Sequence, residues 1–181
     1  RPRGVKAPVV VFGIGNRSRG DDALGPILLD RLRDWAGVHG LAGRFELLEA
    51  YQLNVENALD LEGRRLALFV DACREAPVPV AFGTVGAAGG FTGPSTHALA
   101  PESVLGVYAR LEGEAPPPAF VLAVRGEGFE LGAGLSEAAQ EALEDAWVWL
   151  RLLAHSPGHA EWQTMAAMAR APRACLPPTA S

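Results

Sequence analysis

The sequence predicts an α/β fold built on a parallel sheet, and three observations lead there. Short apolar runs at residues 9–12, 65–72 and 119–124 end beside glycine or carboxylate residues, as strands buried on both faces do. Amphipathic, helix-spaced segments lie between them, so strand and helix alternate and the connections become right-handed crossovers. The chain has 181 residues, of which 49% are hydrophobic, enough for one domain that buries roughly 70% of its unfolded surface.

Taken in order, residues 9–12 form the first strand. Gly13 and Gly15 follow and allow a tight bend. Asp21 or Asp22 then caps a helix over about residues 23–36, whose apolar positions are Leu24, Ile27, Leu28 and Leu32. Residues 45–50 read as the second strand and residues 53–59 as a short helix capped by Asn54. Residues 65–72 form a buried strand with Asp71 at its far end, and residues 79–85 a strand whose leading prolines suit a sheet edge. A glycine-rich stretch over 86–94 precedes Thr96-His97. Pro101 opens a helix to about Leu111, residues 119–124 form the last strand, and Ser136 caps a long helix through Ala139, Leu143, Trp147 and Leu150. The expected organisation is a single α/β domain over residues 1–155. A helical, proline-rich tail follows over 156–181 and is expected to be partly disordered.

The composition narrows the function. A formal charge of −5 argues against nucleic acid, which selects basic faces. No apolar run is long enough to span a bilayer, and the basic opening lacks the apolar core of a signal. Cys73 and Cys175 lie far apart and suggest no disulfide framework, so the cytoplasm is the expected compartment. Nucleophile signatures are missing: there is no Gly-x-Ser-x-Gly elbow, and Cys73 reads as a buried, inert cysteine. The glycine loop matches a dinucleotide fingerprint only at Gly13 and Gly15, since the third position falls on Ser18. Acidic residues opening the next helix would also repel a pyrophosphate.

Three residues fall after strands or on loops: Asp22, Asp71 and His97. In a parallel sheet the post-strand loops share one edge, where sites are built. Two carboxylates and an imidazole suit a borderline divalent metal such as Zn²⁺ or Ni²⁺, with coordination positions left for water or substrate. Each residue also has a plainer reading. Asp21 reads as a helix cap, Asp22 fits either role, Asp71 can cap a turn, and His97 can sit on a surface loop.

Several motifs occur in a set order. These are Gly13-Ile14-Gly15-Asn16 with Gly20-Asp21-Asp22, then Phe69-Val70-Asp71-Ala72, then Thr96-His97. Together they resemble the nickel-iron hydrogenase maturation endopeptidases over roughly residues 9–153. Gln52-Leu53, the run 55–60 and Gly128-Phe129-Glu130-Leu131-Gly132 resemble most the subgroup serving bidirectional, NAD-linked hydrogenases. Two features depart from the family pattern: Ala23-Leu24 in the turn, and the glycine-rich stretch before His97.

The resemblance implies a three-layer fold, with a twisted, mostly parallel sheet flanked by helices on both faces. It implies an endopeptidase, expected to act as a monomer, that removes the C-terminal extension of a hydrogenase large-subunit precursor after nickel insertion. The nickel would come with the precursor, as the recognition signal, and would not be a resident cofactor. By motif, Asp22, Asp71 and His97 would be the nickel-contacting and catalytic triad. The substrate's metal would act as Lewis acid, with Asp22 or Asp71 as base. Two other readings remain: a binding module that senses nickel occupancy without cutting, and a small α/β hydrolase of metabolites.

Overall fold

The computed structural model describes residues 4–74, 76–87 and 99–169. His97, most of the glycine-rich stretch before it, and residues 170–181 lie outside the described residues. Among those described, five strands form one sheet in the order β2-β1-β3-β5-β4. They are β1 (Val9–Ile14), β2 (Phe45–Ala50), β3 (Leu66–Cys73), β4 (Val80–Val85) and β5 (Ala119–Arg125). The pairs β1–β2, β1–β3 and β3–β5 are parallel, and only β4 runs antiparallel, at the edge beside β5. The leading prolines had suggested this edge position.

Alternation along the strands sends side chains to two separate cores. One face carries Val9, Val11, Leu68, Val70, Phe120 and Leu122 against α1 (Leu24–Val38), α3 (Glu137–His155) and α4 (His159–Ala169). The other carries Val10, Phe12, Phe69 and Val121 against α2 (Pro101–Glu112) and a 3-10 helix at Val55–Leu61. Helices therefore cover both faces, giving the expected three layers. Each core has an aromatic centre. Phe12 stacks on Phe69 with ring centres 4.9 Å apart, and Phe82 on Phe120 at 5.5 Å.

Local side-chain caps open two of the described helices. Ser136 accepts the Ala139 N–H at 3.1 Å and opens α3. Asn54 Oδ1 accepts the Glu56 N–H, and Asn57 Oδ1 accepts the Asn54 N–H. The cap at Asn54 is thus as expected, but the helix it opens is of the tighter 3-10 type. The start of α1 differs from expectation. A 3-10 turn at Gly20–Ala23 precedes α1, and neither Asp21 nor Asp22 caps a backbone N–H there.

The segment after residue 156 contains α4, which packs against β4. Its Trp162 is 1% exposed, lies edge-on to Phe120 at 5.4 Å, and donates its indole N–H to the Leu153 carbonyl. Trp162 is the most deeply buried side chain of this helix, and Met165, Ala166 and Ala169 pack beside it against the same core. Cys73 ends β3 only partly buried, which corrects its reading as a buried cysteine.

Candidate active site

The strand order makes β1 the turning point of the topology. From β1 the chain passes through α1 to β2 on one side, and then through the Val55–Leu61 helix to β3 on the other. The crevice beyond the carboxyl ends of β1 and β3 is where open α/β sheets build sites. Asp22 follows β1, and Asp71 lies near the carboxyl end of β3.

Glycines bring these two segments together. A Cβ on Gly25 would lie 2.4 Å from the Ile14 carbonyl oxygen and 2.8 Å from that of Val70, so the start of α1 presses on both strands. Gly15 has φ +140°, and a Cβ there would lie 1.9 Å from the Asp22 carbonyl oxygen. Only glycine fits at either position.

Asp22 accepts the Asn16 N–H through Oδ2 at 2.7 Å and remains partly exposed. Asp71 is also partly buried. Burial, and next the neighbouring charge of Asp22, push its carboxyl from 3.8 up to about 7, against a hydrogen bond from the Ala72 N–H. A second carboxylate close enough to raise the proton affinity of Asp71 makes the crevice a place that attracts a cation. The two are both oxygen donors, which suits a divalent ion, while among the described residues no group of three metal-ligating side chains assembles. His97 is outside the described residues. The chain resumes at Leu99, whose N–H donates to the Leu53 carbonyl just past the carboxyl end of β2.

Residues to which the sequence assigns no part in the site complete the rim. Asn16 accepts the Ser18 N–H through Oδ1, forming a tight turn, and donates from Nδ2 to the exposed Tyr51 hydroxyl at 3.0 Å. Arg17 forms ion pairs with both Asp30 and Glu49 at the surface. Asp21, read as a helix cap, instead turns inward and is fully buried. Its carboxylate accepts from the Glu127 and Gly128 N–H groups, the Ser136 N–H and the Ser136 hydroxyl. Burial alone would push this carboxyl up, but the donors from Gly128, Ser136 and Glu127 outweigh it and hold its pKa below the ordinary value. The Asp-Asp dipeptide is thus divided, with one carboxylate used in structure and the other at the crevice.

No protein-family model matches the sequence, and no curated protein matches it. Solved structures do match. The hydrogenase maturating endopeptidase HybD from E. coli superposes with a TM-score of 0.58 at 20% identity, covering 82% of this chain and 93% of its own. The [NiFe] hydrogenase maturation protease HycI from Thermococcus kodakarensis gives 0.59 at 20% identity, covering 84% and 96%. HybD from the same archaeon gives 0.58 at 16% identity, covering 81% and 98%. The chain therefore has the fold seen in these maturation proteases, and the α/β class read from the sequence is correct. Among the described residues no helix is long and apolar enough to cross a membrane.

Proposed function

We propose that this chain is an endopeptidase that removes the C-terminal extension of a nickel-iron hydrogenase large-subunit precursor once nickel has been inserted. The observation that carries this reading is the pair Asp22 and Asp71 at the crevice between β1 and β3. There the charge of Asp22 helps to raise the carboxyl of Asp71, within a fold shared with maturation proteases. Asp22, Asp71 and His97 engage the nickel carried by the precursor, which docks the scissile bond at the sheet's carboxyl edge. The substrate's metal polarises the carbonyl or the attacking water, and one of the two carboxylates takes the proton. Because the metal arrives with the substrate, an unloaded precursor or an unrelated protein lacks the group that completes the site. The chain acts as a monomer in the cytoplasm, and its motifs point to the subgroup that processes bidirectional, NAD-linked hydrogenases.

The test is incubation of the chain with nickel-loaded and nickel-free precursor, followed by intact mass of the large subunit. Shortening of the loaded form alone supports the proposal. Tight binding without a mass change would mean a module that senses nickel occupancy, and turnover of small esters or phosphoesters independent of nickel would mean a metabolite hydrolase. Asp22→Asn, Asp71→Asn and His97→Ala should each abolish processing while the far-ultraviolet circular dichroism stays that of the wild type. Normal processing by all three would remove this triad from the mechanism.

A further inference from the structure

We infer that Asp21 is a positioning residue for the peptidase reaction, clamping the segment that presents Asp22 to the loop between β5 and α3. This rests on the reading of Asp22 as a group that engages the substrate. Asp21 is 0% exposed, so it cannot touch substrate itself. It lies beside Asp22 in a 3-10 turn, where successive side chains diverge by about 120°. One carboxylate therefore faces the β5–α3 loop while the next faces Asn16 and β3.

The clamp is made from both backbone and side chain. The Asp21 N–H donates to the Gly128 carbonyl at 2.7 Å, and the Gly132 N–H donates to the Ser18 carbonyl at 2.7 Å. Oδ2 of Asp21 receives three donors, from Glu127 at 2.7 Å, Gly128 at 2.9 Å and the Ser136 hydroxyl at 2.7 Å. Oδ1 receives the Ser136 N–H at 2.8 Å. Four donors and no acceptor converge, and an ionised carboxylate is the side chain that meets such a set with acceptors alone. The fit is close on the opposite side as well. A Cβ on Gly20, at φ +54°, would lie 2.4 Å from the Gly128 carbonyl oxygen, and one on Gly126 would lie 2.9 Å from the Asp21 Cβ. With residue 21 fixed, Asp22 is held between this clamp and the Asn16 N–H that donates to its Oδ2.

The decisive variant is Asp21→Asn, which keeps an oxygen for the three-donor side and turns an NH₂ towards the Ser136 N–H. The Asn16 amide reports on Asp22 directly. In the variant it should exchange about tenfold faster relative to β3 amides, because its acceptor is no longer held in place. In processing of nickel-loaded precursor, kcat should fall about tenfold or more, as expected when a group that engages the substrate is misplaced. Unchanged Asn16 exchange, or unchanged kcat, overturns the inference even if the Glu127 and Gly128 amides loosen. If Asp21→Asn does not fold, Ser136→Ala removes one donor to Oδ2 and should shift both readouts in the same direction, with no shift counting against the clamp. If wild-type chain fails to process precursor at all, the peptidase reading falls, and Asn16 exchange alone still decides whether Asp21 positions Asp22.

Discussion

Replacing Asp71 with Asn should stabilise the folded chain above neutral pH while it removes processing. Asp71 has its carboxyl raised from 3.8 to about 7, first by burial and then by the charge of Asp22. A carboxyl whose folded pKa exceeds its unfolded one binds its proton more tightly when folded. Its contribution to stability is therefore greatest below 3.8 and is lost as pH rises through about 7. The difference of about 3 units corresponds to at most about 4 kcal/mol at pH 8, and water reaching this partly exposed site reduces the expectation to about 2 kcal/mol. Asn keeps an oxygen for the Ala72 N–H and offers an NH₂ to the Asp22 carboxylate in place of a second negative charge. The assay is urea unfolding of both proteins at pH 5 and pH 8. The variant should be more stable at pH 8 by about 2 kcal/mol, or about 4–8 °C in Tm, with a clearly smaller advantage at pH 5. An advantage that is equal at the two pH values, or a variant less stable at pH 8, would refute the account of Asp71 as a destabilising buried charge.

Two further outcomes concern the frame around the crevice. Gly25→Ala places a methyl group 2.4 Å from the Ile14 carbonyl oxygen and 2.8 Å from that of Val70. Both neighbours are strand backbone, so the variant should lose about 3 kcal/mol or more, visible as a lower denaturant midpoint or failure to accumulate folded protein. Trp162→Ala should cost about 3–5 kcal/mol, read by denaturant unfolding, because Trp162 is 1% exposed and packs against Phe82 and Phe120. A loss below about 1 kcal/mol would mean that α4 contributes little to the core.

The strands were legible because each is a nearly uninterrupted apolar run buried on both faces, so pattern and environment agree. Ser136 and Asn54 were legible for the same reason: a cap is a local interaction that spans only a few residues. That the segments carrying Asp22 and Asp71 reach the same edge could be anticipated from topology, since parallel strands deliver their following segments there. The role of Asp21 could not, because its four hydrogen bonds come from residues 106–115 positions away and leave no local trace. The same holds for Trp162, whose partners Phe82 and Phe120 lie on strands far earlier in the chain. In a helix with few other buried residues, one tryptophan does not produce the periodic stripe that marks a core-facing surface.

The crevice draws one carboxylate from the turn after β1 and the other from β3, and those strands are neighbours only because β2 branched to the opposite side. Neither residue has the other's charge nearby until that non-local pairing has formed, and its loop-closure entropy has to be met first. In an incompletely folded copy Asp71 therefore lacks both the burial and the neighbouring charge that raise its carboxyl. The influence of Asp22 on Asp71 is therefore a property of the finished sheet and of no local stretch of chain.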